Sequence, residues 1–185
     1  MSSDNVIDMD YDEYTEILVI GHPENGISLV NTSTMSLVDT FDTDDGLDSD
    51  LIVDVATRYG MAYLATPDSG LMRIDISELQ IVSSWQSLGA DNLEAAPIAI
   101  DGDTVYLGLP EFGIMVLDRI NGDIIDLLTV GNSALPDNDV LSLYIYGGDL
   151  VVGSRVANTG AQSNGGISIW AVSYTHLTLP TNTVV

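Results

Sequence analysis

Three short acidic turns and one aspartate-rich loop carry most of the side chains in this chain that could do chemistry. The turns read Gly21-His22-Pro23-Glu24-Asn25-Gly26, Ala65-Thr66-Pro67-Asp68-Ser69-Gly70 and Gly108-Leu109-Pro110-Glu111-Phe112-Gly113. Their ionisable members are His22, Glu24, Asp68 and Glu111. Asp91, Asp137 and Arg155 sit in other loops of the same kind. Together these residues make a candidate ligand-binding face, suited by its charge to a cationic or hydroxylated ligand. The plainer alternative is a solvated acidic rim.

The loop from Asp42 to Asp50 holds Asp42, Asp44, Asp45, Asp48 and Asp50 around Gly46. Closely spaced hard oxygens with a glycine for the bend are what Ca²⁺ coordination uses. The spacing departs from an EF-hand: Gly46 stands fifth, where a ligand is needed, and no Glu stands twelfth. The expectation is therefore no cofactor, with calcium in this loop as the lesser alternative. No catalytic set is visible either. His22 is the one histidine ahead of the final segment, no nucleophile elbow surrounds a serine, and there is no cysteine. Carboxylate pairs mean little in a chain this acidic. No enzyme is expected from these residues.

The elements that position these turns follow from their spacing. Gly26, Gly70 and Gly113 are 44 and 43 residues apart. Each turn lies between two short apolar runs, such as Ile17-Leu18-Val19-Ile20 before and Ile27-Ser28-Leu29-Val30 after. A further run follows a polar turn (Leu37–Phe41, Ile81–Trp85, Ile124–Leu128). A run opens each unit: Val6–Met9, Leu51–Val55, Pro97–Ile100 and Val140–Leu143. Short apolar runs bounded by Gly and Pro read as strands, and no segment of ten residues has helical period. Four strands per unit at this period predict the blades of a β-propeller. The blades fall at about residues 4–46, 47–92, 93–134 and 135–171, the last one partial. Closed propellers have ~4–8 blades, so an open arc of a larger ring is expected. Asn31, Asp75 and Asp118 end equivalent strands and should tighten the turns that follow by bonding their own backbone. Trp85, Trp170, Tyr63 and Tyr106 lie on strands and should pack between blades. Loop length varies most on the side that carries the acidic turns, including an insertion of about eight residues between Ser154 and Gly165, as a binding face requires.

Net charge is −24, from 28 acidic residues (22 of them Asp) against four Arg and no Lys. This excludes the basic footprint of a nucleic-acid binder and argues against docking on anionic lipid. A protein or carbohydrate ligand remains as the partner class.

Leu135-Pro136-Asp137-Asn138-Asp139-Val140-Leu141-Ser142-Leu143, followed by Gly147-Gly148-Asp149-Leu150-Val151-Val152-Gly153-Ser154, resembles the two-component-regulator propeller repeat. That family carries a Leu-Pro-x-Asn-x-Val segment and then Gly-x-Leu-Trp-x-Gly-Thr; Val151 replaces its Trp. Blades one to three keep only the Gly-Ile/Leu…Asp part. The resemblance implies an extracytoplasmic module (secreted, cell-surface or periplasmic) that binds a ligand or partner without catalysis. Two alternatives remain: a piece of a propeller enzyme of quinoprotein or polysaccharide-lyase type with its catalytic residues on other blades, or a structural repeat of a large surface protein. Val172–Thr181 is similar to translated sequencing-adapter read-through, so residues 172–185 are read as a non-native tail of a metagenomic fragment and left out of the fold.

Overall fold

The computed structural model describes residues 5–85, 97–155 and 166–171. Those residues form strands, turns and loops with no helix. The chain divides into two compact units, Met1–Ala96 and Pro97–Val185. In the first unit, β1 (Asp8–Asp12), β2 (Ile17–Gly21), β3 (Ile27–Asn31) and β4 (Ser36–Phe41) form one sheet. A second sheet is built from β5 (Asp54–Arg58), β6 (Met61–Thr66), β7 (Gly70–Asp75) and β8 (Gln80–Trp85). In the second unit, β9 (Ile98–Asp101), β10 (Thr104–Leu109), β11 (Gly113–Asp118) and β12 (Ile124–Leu128) form a third. The fourth holds β13 (Val140–Tyr146), β14 (Asp149–Ser154) and β15 (Gly166–Ala171). Every sheet is an antiparallel meander in sequence order, the blade architecture of a β-propeller. Each sheet falls inside one of the residue ranges drawn from the repeat. The segment 172–185 lies outside the described residues.

The hairpin from the third to the fourth strand is built the same way three times. The Asn31 side chain accepts the Thr34 N–H at 2.9 Å. Asp75 Oδ1 accepts from Ser77 and Glu78, and Asp118 Oδ1 from Ile120 and Asn121. Four residues beyond each acceptor the chain enters the left-handed region, at Met35 (φ 54°), Leu79 (φ 53°) and Gly122 (φ 79°). Each outer strand then takes a β-bulge, opposite Leu29–Val30, Arg73–Ile74 and Val116–Leu117 of the third strand. Repeated bulges are features of a design, not accidents of one blade.

The first strands are displaced from the apolar runs that marked them. Leu51-Ile52-Val53 precedes β5, and Val6-Ile7 precedes β1. The cause is that the Ile52 N–H goes to the His22 carbonyl at 3.3 Å while its side chain is buried in the blade one–two core. The apolar run there is a plug followed by a strand.

Between blades one and two, Ile17, Val19, Ile27 and Leu29 pack with Val55, Leu64, Met72 and Ile74. Between blades three and four, Tyr106, Ile114 and Val116 pack with Val140, Leu150, Val152 and Trp170. Tyr106 and Trp170 therefore pack between blades as their positions suggested. Tyr63 is fully buried, its ring 6.2 Å from that of Trp85, which also carries the Arg73 guanidinium at 4.3 Å.

Candidate functional site

The turns between second and third strands, and the loops joining successive blades, lie at one end of their sheets. Gly26 fixes the first turn. It has φ +62°, and a Cβ there would stand 2.0 Å from the Phe41 carbonyl oxygen. Gly113 has φ +101° and the same clash with Leu128, at 2.1 Å. Only glycine fits. Its N–H is then free to reach into the following loop: Gly26 donates to Asp50 O and Gly113 to Asn138 O, each at 3.0 Å.

These two bonds align two loops that look unlike in sequence. After blade one, Thr43 N–H donates to Asp50 Oδ1 at 2.7 Å and Thr43 Oγ1 to Oδ2 at 3.0 Å. After blade three, Val130 N–H donates to Asn138 Oδ1 at 2.8 Å. Asp42 N–H donates to Asp45 Oδ2, and Thr129 N–H to Asn132 Oδ1. Leu51 N–H is held by Ser49 Oγ, and Asp139 N–H by Asp137 Oδ1. Leu47 and Leu135 are both buried. The glycines opposite agree: a Cβ on Gly21 would meet Ile52, and one on Gly108 would meet Val140. Leu47-Asp48-Ser49-Asp50-Leu51-Ile52 is thus the counterpart of Leu135-Pro136-Asp137-Asn138-Asp139-Val140. The first blade junction keeps more of the repeat than the Gly-Ile/Leu…Asp part alone.

The same bonds show which donors the aspartates of the Asp42–Asp50 loop serve. Oxygens of Asp42, Asp45 and Asp50 are taken by N–H groups of the loop itself, since Asp44 N–H also donates to Asp42 Oδ1. Asp44 and Asp48 are exposed. Among the described residues no three His, Asp or Glu side chains converge as metal ligands would. Where Asp45 and Asp50 act, Asn132 and Asn138 accept the equivalent N–H groups.

His22 also leaves the exposed face. It is fully buried, with Nδ1 donating to Asn5 O at 2.7 Å and Nε2 hydrogen-bonded to Ser28 Oγ at 2.8 Å. A carbonyl can only accept, so Nδ1 carries a proton. Glu24, Asp68 and Glu111 are exposed at the tips of their turns. Glu111 has φ +67°, and the Asp68 turn is braced by Thr66 Oγ1 donating to Gly70 O and Ser69 Oγ to Asp48 O. Asp137 is half-buried and used by Asp139. Arg155 is exposed and pairs with Asp139 at 3.2 Å. Asp91 and most of the insertion, 156–165, lie outside the described residues.

Three carboxylates that sequence reasoning had not singled out have defined partners. Asp8, Asp10 and Asp12 alternate along β1. Asp8 Oδ2 accepts the Val55 N–H at 2.9 Å, and Asp10 Oδ2 accepts Thr57 N–H at 2.7 Å and Thr57 Oγ1 at 2.8 Å. Asp12, buried, accepts Gly60 N–H at 2.9 Å and both donors of Thr15. Blade one thereby holds the inner strand of blade two by its backbone. The signal was present: three Asp at period two put three carboxylates on one face of a strand.

No protein-family model and no curated protein sequence matches the chain. Solved structures do. The computationally designed Ika4 protein has a TM-score of 0.68 at 16% identity, over 94% of both chains. The designed Ika8 protein has 0.66 at 16%, over 90% of this chain and 46% of Ika8. A B. thetaiotaomicron structure, described as the extracellular domain of the hybrid two component system BT3049, has 0.70 at 18%, over 92% of this chain. This chain spans only 21% of that one's length. At these identities the likeness shows the fold.

Proposed function

We propose that this chain is a non-catalytic binding module of the two-component-regulator propeller type, working outside the cytoplasm through the loop end of its blades. The observation that carries the reading is the contrast within each turn. The backbone is locked by glycine and loop-to-loop hydrogen bonds, while Glu24, Asp68 and Glu111 project from it into solvent. Rigid loops presenting adaptable charged tips are how scaffolds carry recognition. The only histidine ahead of the tail is buried and used by Asn5 and Ser28, which favours binding over acid–base chemistry. The likeness to an extracellular domain of a two-component system supports the location and the class of role. The ligand class is a cationic protein segment or a carbohydrate.

The test compares two triple variants of equal charge. Glu24→Gln, Asp68→Asn and Glu111→Gln neutralise the loop end. Glu13→Gln, Glu78→Gln and Asp123→Asn neutralise exposed residues in hairpin turns at the opposite end of the sheets. A glycan array and a set of arginine-rich peptides serve as probes. A ligand that loses about tenfold in affinity with the first triple only, roughly 1.4 kcal/mol, supports the proposal. Equal losses with both triples, or no retained probe, contradict it.

A further inference from the structure

The hairpin turn between β3 and β4 holds a group that its own geometry does not use. Asn31, Asp75 and Asp118 occupy one repeated position. The next residue donates its N–H to a neighbouring hairpin each time: Thr32 to Glu16 O, Ile76 to Gly60 O and Arg119 to Asp103 O. Each of the three also offers Oδ1 to backbone N–H groups of the turn. An aspartate suffices for that, and blades two and three have one. Blade one has an asparagine, in a chain that carries 22 Asp.

The partners of Asn31 orient its amide. The Thr34 N–H, at 2.9 Å, can only donate, so the atom it meets is the carbonyl oxygen. That oxygen also accepts the Thr34 hydroxyl at 3.0 Å. The amide nitrogen, Nδ2, makes no hydrogen bond among the described residues. The turn therefore consumes the half of the side chain that asparagine shares with aspartate. The half that distinguishes it is left over.

The neighbouring residues give that nitrogen a use. Asn31-Thr32-Ser33 is the single Asn-x-Ser/Thr triplet of the chain. An asparagine followed two residues later by a hydroxyl, in a surface turn, is what an oligosaccharyltransferase reads. Ser33, Thr34, Met35 and Ser36 are all exposed, Met35 at 79%, so the turn projects into solvent. The Ser33 hydroxyl meets only the exposed Glu16 carboxylate, at 3.0 Å. At the same position blade two has Asp75-Ile76-Ser77, with the hydroxyl but no amide, and blade three has Asp118-Arg119-Ile120, with neither.

We propose that Asn31 is an N-glycosylation acceptor, with an oligosaccharide carried on a polyprenyl diphosphate as the donor. Nδ2 bonds to C1 of the first sugar as the C1–O bond to the diphosphate breaks. The diphosphate leaves with the bonding electron pair, and Nδ2 gives up a proton to the transferase. Nothing is oxidised or reduced. Oδ1 stays on Thr34 throughout, so the turn keeps its hydrogen bonds after transfer. The glycan stands at the opposite end of the blade-one sheet from Glu24 and leaves the loop end clear. The proposal rests on the reading of the chain as an extracytoplasmic module, because such transferases act on exported chains.

The test is an in vitro reaction on the folded, full 185-residue chain. The probes are a purified oligosaccharyltransferase that requires only Asn-x-Ser/Thr and a polyprenyl-diphosphate oligosaccharide, with an unrelated acceptor peptide as the control. Intact-mass spectrometry should show the gain of one oligosaccharide, mapped by peptide sequencing to Asn31. Ser33→Thr should keep it, and Asn31→Asp and Ser33→Ala should lose it. Asn31→Asp copies the turns of blades two and three, so its circular dichroism and melting should match the parent chain. A folded chain that gains no mass while the control peptide is converted overturns the proposal. So does a mass gain that survives Asn31→Asp. The reaction needs no export, so its failure is separate from failure of the binding-module reading, which shows in the comparison of the two triple variants.

Discussion

Asp50 shows how little a residue's type says before its partners are known. Its two oxygens hold the N–H and hydroxyl of Thr43, and its own carbonyl holds Gly26. Asn138 performs the same task on Val130 and Gly113 with a neutral amide. Asp50→Asn should therefore be tolerated, changing stability by less than about 0.5 kcal/mol. Asp50→Ala removes the acceptor and should cost on the order of 1–3 kcal/mol. Chemical denaturation of the two variants separates these outcomes. If Asn is as damaging as Ala, the carboxylate charge itself is needed. The composition of residues 42–50 shows how many oxygens are present and not which of them accept N–H groups. His22 misled for a related reason: a lone polar residue in a glycine–proline turn reads as exposed, while its ring turns inward to Asn5 and Ser28.

At the scale of the element, the repeat made most of the fold legible. Gly70, Gly113 and Gly166 each open a third strand, and Gly26 immediately precedes one. The period of 44 and 43 residues from Gly26 to Gly113 is fixed by covalent spacing, which no tertiary contact can override. The Asx turns at Asn31, Asp75 and Asp118 were equally readable because their partners are two or three residues away. The first strands were not: whether Leu51-Ile52-Val53 is strand or plug depends on His22 O, far along the chain. Two substitutions test the turn chemistry. Gly113→Ala should destabilise strongly, by about 3 kcal/mol or more, since a backbone carbonyl blocks the methyl and φ is positive. Met35→Gly should stabilise by about 1 kcal/mol. Met35 is exposed with φ 54°, and blade three already uses Gly122 at that place. A destabilised Met35→Gly chain would show that the side chain does work that its exposure conceals.

For the whole molecule, the excess of 28 acids over four arginines is partly structural: Asp8, Asp10, Asp12, Asp42, Asp45 and Asp50 accept backbone N–H groups, and Asp75 and Asp118 close turns. The remainder repel one another, so salt should raise the melting temperature. At matched ionic strength Ca²⁺, Mg²⁺ and Na⁺ should act alike in a thermal melt; a calcium-specific rise that Asp50→Asn abolishes would place a metal site in this loop. The central claim is that the aspartates of β1 and of the first blade junction are backbone acceptors belonging to a repeated blade. Amide hydrogen exchange by NMR, on the full chain in metal-free buffer, tests it most directly. The amides of Thr43 and Val130 should be protected to a similar degree although they lie in loops, and those of Val55, Thr57 and Gly60 should be protected with the strands. Free exchange at Thr43 and Asp44 that slows only when Ca²⁺ is added would contradict the account.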